Sequence, residues 1–432
     1  MNSSERNPSA LGQLLDAAEN SSPADAVEAV TNELAGALGA TSVSFLIADL
    51  SGRGLVRLAC AGADCDKHDS HETVPLSIGP PTSAELASES GPAERALRTQ
   101  TLQIIPPDGG VVGTPSGSWT VLAPVTERGE VLGLLEMQLP GEPPPEVIRE
   151  IARTAHALAF VVIANRRHTD VYELGQRSAV FTLPAEIQRQ LLPAAYTCEA
   201  GTFTLAAWLE PAADIGGDSF DYSLGRDVLH LSLTDAMGHG IEAALTATLC
   251  VGSLRNTRRR GASLLEQVND ANESLMRHGH GDGADKAFVT GLISHLDLRS
   301  GVLSFVNAGH VPPYLARDGK VQALNLQPSY PLGLFADPDY EVSVFQIEPG
   351  DRLVFVTDGM LERNAASIDL AGKIGETRHL HPREATRSLA DEVLRCAGAL
   401  LADDATLLIL DWHGQSGSDS DDRATFAGAD TA

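Results

Sequence analysis

The sequence predicts an α+β protein. In the second half, apolar runs of strand length outnumber helical patterns. The helical patterns there bunch in two places, and the first half carries its own alternation of hairpin-like pairs and helices. The chain is 432 residues long and 43% hydrophobic, enough to build cores in two or three domains.

The elements follow in order. Residues 1–20 are polar at their start and are expected to be disordered. A first domain is expected over 21–166. Ser22-Pro23-Ala24-Asp25 supplies an N-cap, a proline at the first helical position and a capping-box acid. Val27, Val30, Leu34 and Leu38 recur at helical spacing, and Gly39 ends the helix. Ser42 to Ala48 alternates. With Gly52 and Gly54 in a turn and Leu55 to Cys60 as a second strand, it forms a hairpin. Asp64 to Pro81 reads as polar and irregular. Gly91 to Thr99 reads as a short helix, and Leu102 to Ile105, Trp119 to Pro124 and Val131 to Leu139 as strands. Pro143 to Pro145 opens a long helix that runs to about Arg167.

Residues 167–195 read as a connector helix. Ile187, Leu191 and Leu192 share a face, and Pro193 stops the helix. Apolar residues on a bare spacer would be exposed, so the connector is expected to pack on both domains or on a second copy in a homodimer. A second domain follows over 196–413. Phe203 to Trp208, Val228 to Leu233, Phe288 to Leu296, Val302 to Asn307, Val342 to Ile347, Arg352 to Thr357 and Ala405 to Trp412 read as strands. Ile241 to Arg258, Leu264 to His278 and Pro382 to Leu401 read as helices. The Ser-, Asp- and Gly-rich segment 414–432 is expected to be a disordered acidic tail.

Charge and cysteine usage exclude several function classes. The formal net charge is −27 at pH 7. Nucleic-acid binding needs Lys and Arg in excess, and an anionic membrane surface would repel this chain. No stretch approaches the ~20 apolar residues of a membrane span, and Met1 to Ala10 has no signal-peptide pattern. The five cysteines, Cys60, Cys65, Cys198, Cys250 and Cys396, show no zinc spacing. They point to a reduced, cytoplasmic protein, although Cys60 and Cys65 are close enough in sequence to pair. The arginine run Arg255 to Arg260 reads as a solvated helix end, or as a docking patch for an acidic partner. No phosphate-cradling P-loop is present.

Four acidic segments carry chemistry: Gly216-Gly217-Asp218 with Asp221, Asp235-Ala236-Met237-Gly238-His239-Gly240, Thr357-Asp358-Gly359, and Asp403-Asp404-Ala405-Thr406. Each sets a carboxylate beside glycine or a small residue, and three abut apolar runs. Carboxylates delivered to the lip of a sheet would repel one another and their pKa values would rise. Divalent cations relieve that repulsion, and all-oxygen ligation selects Mg or Mn over Zn. Two such ions can activate a water for in-line attack on phosphorus.

These segments resemble a known family. Glu210-Pro211-Ala212, Ile215-Gly216-Gly217-Asp218 and Phe220-Asp221 come first, then Asp235-Ala236-Met237-Gly238-His239-Gly240. Phe288-Val289-Thr290, Asn307-Ala308-Gly309-His310, Pro331-Leu332-Gly333, Thr357-Asp358-Gly359 and Asp403-Asp404-Ala405-Thr406 follow. In this order they are similar to the SpoIIE-type branch of the type 2C metal-dependent protein phosphatases, over about residues 183–413. The resemblance implies a β-sandwich flanked by helices with two Mn2+ or Mg2+ ions at one edge. It implies Asp218, Asp235 and Asp358 as catalytic metal ligands and a backbone carbonyl from Ala236. The last ligand aligns with Asp403 in preference to Asp404, and Asp221 takes a supporting place. The implied activity is protein-serine/threonine phosphatase, acting on a phosphorylated STAS-type anti-anti-sigma protein in a bacterial cytoplasm.

Ser219 stands where the family often carries a bulkier residue, and no counterpart of the catalytic arginine of some relatives is evident. His239 and His310 read as turn or packing residues, with general acid to the leaving oxygen as the sharper role. Residues 20–166 resemble a GAF domain, on Gly91-Pro92-Ala93-Glu94-Arg95-Ala96-Leu97, Val121-Leu122-Ala123-Pro124 and Val131-Leu132-Gly133-Leu134-Leu135. That resemblance implies a sensor that binds a small molecule or dimerises. Cys60, Cys65, His68 and His71 lie where a ligand would sit, although ordinary loop residues are the plainer reading. The alternative function is a non-catalytic, partner-binding regulator on the same fold, which the intact acids disfavour.

Overall fold

The computed structural model describes residues 10–49, 54–62, 65, 73–75, 91–107, 117–177, 182–210, 217–278, 287–361, 369–397 and 403–415. The chain divides into two compact units, Met1–Val180 and Phe181–Ser420. Among the described residues, no helix is long and apolar enough to cross a membrane.

Unit 1 begins with α1 (Ala10–Glu19) and α2 (Ala26–Leu38), followed by β1 (Ser42–Ala48), β2 (Gly54–Gly62) and β3 (Thr73–Pro75). Next come α3 (Pro92–Thr99), β4 (Gln103–Ile105), β5 (Trp119–Glu127), β6 (Glu130–Leu139), α4 (Pro145–Asn165) and α5 (Val171–Gln176). The strands form one antiparallel sheet in the order β3-β2-β1-β6-β5-β4. Alternation sorts their side chains. Val43, Phe45 and Ile47 of β1 join Val121, Val125, Leu135 and Met137 against Val30 and Leu34 of α2 and Leu158 of α4. The residues between them, Leu46 of β1 with Leu55, Leu122 and Leu134, pack on Ala96 and Leu97 of α3. Gly39 closes α2 at φ 60°, the left-handed conformation that glycine adopts without steric cost.

Four expectations for this half are corrected. Residues 10–19 are helical, because Leu14 and Ala18 fall on one face and enter the core. The polar stretch after Asp64 contains β3, which pairs with the start of β2. Pro23 precedes α2: Ser22 and Asp25 bond each other through their side chains at 2.6 Å, and the helix starts one residue after Asp25. Cys60 and Cys65 form a disulfide, where free thiols were expected. His68 and His71 lie outside the described residues, as do residues 1–9 and the tail from 416 onward.

The connector is not one helix. After α4 comes a 3-10 turn, Arg166–His168, and then α5, whose Tyr172 is buried in the unit 1 core and bonds the Pro23 carbonyl at 3.1 Å. The next helix, α6 (Leu183–Leu191), belongs to unit 2, so the two helical pieces serve different cores.

Unit 2 continues with β7 (Thr197–Glu199), β8 (Phe203–Glu210), β9 (Asp218–Leu224) and β10 (Val228–Ala236). Then follow α7 (Gly240–Arg259), α8 (Leu264–His278), β11 (Val289–Asp297), β12 (Val302–Ala308), β13 (Tyr314–Arg317) and β14 (Lys320–Ala323). The last elements are β15 (Ser343–Gln346), β16 (Arg352–Val356), α9 (Leu370–Glu376), α10 (Pro382–Ala397) and β17 (Ala405–Trp412). They build two sheets, β15-β12-β11-β10-β9 and β14-β13-β16-β17-β8-β7. Leu229, Leu231, Leu233 and Phe305 of the first share a core with Phe203, Leu205, Phe355, Leu408 and Leu410 of the second. Helices α7 and α8 cover the outer face of the first sheet through Val251, Leu254, Val268 and Ile293. Helices α9 and α10 cover the second through Ile374, Leu389, Val354 and Ile409.

Strand β17 is apolar on both faces because both are buried, Leu408 and Leu410 inward and Leu407 and Ile409 toward the helices. Full burial of each such side chain contributes roughly 1.5–3 kcal/mol. Strands β7, β9, β13 and β14 and helix α9 had no expected counterpart. They are short, or, like β9, polar along much of their length.

Candidate metal centre

The acidic segments meet at one end of unit 2. Strand β9 starts at Asp218 and β10 ends at Asp235-Ala236, and the antiparallel register sets Asp235 directly opposite Asp218. In the second sheet, β16 runs into Thr357-Asp358-Gly359 while Asp403-Asp404 leads into β17, its neighbour. Thr357 N–H donates to the Thr406 carbonyl at 3.1 Å, so Asp358 and Asp404 emerge side by side.

Glycines permit this convergence. A Cβ at Gly217 would overlap the Ala236 carbonyl, and one at Gly359 would overlap the Asp404 carbonyl. Gly238 and Gly240, at φ 94° and 75°, turn the chain from β10 into α7. Gly216 lies outside the described residues.

Asp218 is 2% exposed. Its Oδ2 accepts hydrogen bonds from Thr357 Oγ1 at 2.7 Å and Thr406 Oγ1 at 2.5 Å. Burial raises its pKa well above the carboxylate range, and Asp235 and Asp404 raise it further, while the two hydroxyls pull it down. Asp235 is pushed up to about 7, by burial first and then by Asp358, Asp403 and Asp404. Asp404, 1% exposed, accepts from Gln188 Nε2 at 2.7 Å, and the same nitrogen donates to the Asp218 carbonyl at 2.8 Å. Asp403 accepts from the Asp404 N–H at 2.8 Å, and Asp358 is exposed.

The charges acting on Asp218 and Asp235 are thus other carboxylates. A hard divalent cation suits that donor set, because it takes oxygen ligands and cancels the repulsion. Among the described residues, no group of three His, Cys, Asp or Glu side chains stands close enough to grip one ion together. The arrangement therefore fits ions such as Mg2+ that take one or two carboxylates and keep water on their remaining positions. The residues able to contribute are Asp218, Asp235, Asp358, Asp403 and Asp404, with the Ala236 carbonyl beside them.

Other expected residues fall elsewhere. Asp221, 4% exposed, accepts from Arg255 Nη2 and Arg258 Nη1, each at 2.8 Å. Arg260 pairs with Asp270 at 2.5 Å. Arg255, Arg258 and Arg260 are thus paired within the unit, while Arg259 and Arg260 stay exposed at the helix end, as the solvated-end reading expects. His310 is buried, with Nδ1 3.0 Å from Thr290 Oγ1, and burial lowers its pKa to about 4. Burial thus favours the neutral form of its imidazole. His239 is exposed and precedes the first turn of α7.

Gln188, Thr357 and Thr406 were given no role from sequence. A signal for Gln188 was present: it lies between Ala185 and Leu191 at spacings of three, a polar residue on the buried stripe of α6.

Residues 225–413, all within unit 2, match the family model described as Stage II sporulation protein E (SpoIIE). The matched range begins after Asp218 and includes Asp235, Asp358, Asp403 and Asp404. Stage II sporulation protein E of Bacillus subtilis (strain 168) is 26% identical over 204 residues, 45% of this chain and 24% of that protein. Its counterpart in Priestia megaterium is 25% identical over 203 residues, so this chain spans a quarter to a third of the length of these two relatives. Phosphoserine phosphatase RsbU of Bacillus subtilis is 23% identical over 273 residues, 59% of this chain and 79% of that protein. Among solved structures, the RsbU and RsbW domains of a Mycobacterium tuberculosis protein share 27% identity at a TM-score of 0.43, covering 49% of this chain and 60% of that one.

Proposed function

We propose that this chain is a metal-dependent protein-serine/threonine phosphatase whose active site is the acidic end of unit 2. The observation that carries the reading is the pairing of Asp218 and Asp235 across adjacent strands, buried against further carboxylates. Stability alone does not favour such an arrangement, and a phosphoryl-transfer site needs it. The names of two relatives, phosphoserine phosphatases RsbP and RsbU, support the reaction class.

In this reading Asp218, Asp235, Asp358 and Asp403, with Asp404 second in preference for the last place, and the Ala236 carbonyl hold two Mn2+ or Mg2+ ions. When bound, the ions would neutralise the carboxylates, draw charge from the phosphoryl oxygens and lower the pKa of water at the site. The chain's own groups fix the frame. Thr357 and Thr406 hold the Asp218 carboxylate in one orientation, and Gln188 does the same for Asp404. Asp358 is exposed, so a phosphorylated side chain would approach the site past it.

The substrate we propose is a phosphorylated STAS-type anti-anti-sigma protein in the cytoplasm. Unit 1 would act as a GAF-like sensor that gates the site through the connector, with a small molecule or a second copy of the chain as its input.

The test is release of phosphate from a phosphorylated STAS protein with Mn2+ or Mg2+. We expect metal-dependent release, and a fall of roughly a hundredfold or more in Asp358→Asn. Equal rates in the two proteins, or no release with either metal, would sink the reading.

A further inference from the structure

Unit 1 carries a separate chemical feature on the α3 side of its sheet. Cys60 of β2 is bonded to Cys65, with the two Cα atoms 5.7 Å apart. Directly opposite Cys60 on β1 stands Ser44, which is buried and donates its hydroxyl to Cys60 Sγ at 3.3 Å. On the other side of Ser44, β6 presents Glu136, which accepts from Arg57 Nη2 at 3.1 Å. Arg57 is 7% exposed, and its Nε has no hydrogen-bond partner among the described residues. A polar row of Cys60, Ser44, Glu136 and Arg57 thus crosses three strands beside the apolar cluster of Leu46, Leu55 and Leu134.

Three facts separate this disulfide from a structural staple. Its cysteines are only five residues apart, so the closed loop restricts little of the unfolded chain. Cys60 and Cys65 are both partly exposed, within reach of a small thiol. The other three cysteines form no disulfide: Cys396 is partly exposed, Cys198 and Cys250 are buried, and burial pushes the Cys250 thiol up to about 12.

We propose that Cys60 and Cys65 form a reversible thiol–disulfide site through which unit 1 responds to the ratio of low-molecular-weight thiol to its disulfide. The Ser44 hydroxyl sets the direction of exchange. A thiolate attacks Cys65 Sγ, the Cys65–Cys60 bond breaks, and Cys60 leaves as the thiolate that the Ser44 O–H stabilises. A second thiol then attacks the mixed disulfide on Cys65. Two electrons and two protons pass to Cys60 and Cys65, and the two small thiols leave joined as their disulfide. Oxidation is the reverse, with the small-molecule disulfide as acceptor.

The test uses the full chain, equilibrated in buffers of increasing reduced-to-oxidised glutathione ratio, quenched in acid, denatured, alkylated and read by peptide mass. We expect Cys60 and Cys65 to pass together from disulfide to doubly alkylated across the series, while Cys198 and Cys250 are alkylated at every ratio. Cys65→Ser should fold as the parent does and take up glutathione on Cys60. Ser44→Ala should slow reduction by about threefold. Free thiols at every ratio would overturn the proposal, as would a disulfide that yields to excess dithiothreitol only after denaturation. No glutathione adduct on Cys65→Ser would also overturn it. An unchanged rate in Ser44→Ala would overturn the assignment of Cys60 as the leaving sulfur.

Discussion

Asp218 and Asp221 sit three residues apart on β9, both almost fully buried, in opposite electrostatic surroundings. Asp221 meets two guanidinium groups from α7, Arg255 and Arg258, which match its charge and occupy its oxygens. Asp218 meets two threonine hydroxyls and, beyond them, carboxylates. Strand alternation explains how one short segment serves both, since a three-residue offset turns the two side chains to opposite faces of the sheet. Asp221 faces the helices, while Asp218 faces the gap between the sheets. The first carboxylate holds a helix in place. The second is left with a repulsion that an added cation or a proton removes. A buried acid is thus evidence of a site when its neighbours fail to compensate it, and evidence of architecture when they succeed.

The most forceful way to break this comparison is to neutralise each acid in turn in metal-free buffer. Asp221→Asn leaves Arg255 and Arg258 without their counter-charge, and removal of one side of a largely buried pair costs about 3 kcal/mol. Urea unfolding should show that loss. Asp218→Asn removes a charge that its surroundings oppose, and the amide can still meet the two hydroxyls. Its unfolding midpoint should equal or exceed that of the parent. If Asp218→Asn were the more destabilised variant, the reading of the acidic end as uncompensated would fail.

A smaller effect is expected at Gln188, which binds the two halves of the acidic end together. Gln188→Leu keeps the bulk of the side chain but removes the donor to Asp404 and to the Asp218 carbonyl. Loss of a group that orients metal ligands typically costs 10–100-fold in affinity, and we expect about tenfold weaker Mn2+ binding by calorimetry. The Asp221–arginine cluster should be unaffected, so the cost to unfolding should stay near 1–3 kcal/mol. Unchanged Mn2+ affinity would reduce Gln188 to a packing residue.

Much of this was legible from the sequence. Asp235 and Asp358 announce themselves because each ends an apolar strand and runs into a glycine turn. The cores of β10, β11, β16 and β17 follow from runs such as Leu407 to Leu410, which only a doubly covered strand tolerates. Strand β9 was hidden because four of its seven residues, Asp218, Ser219, Asp221 and Ser223, are polar, and it is ordered by long-range partners instead of its own pattern. The Asp221–Arg255–Arg258 cluster was hidden for a related reason. The arginines follow Asp221 by more than thirty positions, and charge runs look solvated until a tertiary partner is known. The helix α1 was masked by its polar neighbours, and the split of the connector by the helical character of both of its pieces.

The gentlest probe is pH, because the two regions respond to acid in opposite senses. Asp235 has a folded pKa of about 7, above the ordinary carboxylate value, so folding takes up a proton. Its destabilising contribution is fully present above pH 7 and fades as the pH falls toward 4. His295 lies on the helix-facing side of the same sheet, 2.9 Å from His230. Its pKa is lowered to about 4 by burial, with His230 and Arg258 adding to the shift. For that group folding releases a proton, so its contribution is intact above about 6.5 and is lost as the pH falls toward 4. Between pH 7.5 and 5, metal-free Asp235→Asn should lose its stability advantage over the parent as the buffer is acidified. Over the same range His295→Gln should show a flatter loss than the parent. Parallel pH profiles for the parent and both variants would mean that the two ends of the domain do not differ in the way their charges are matched.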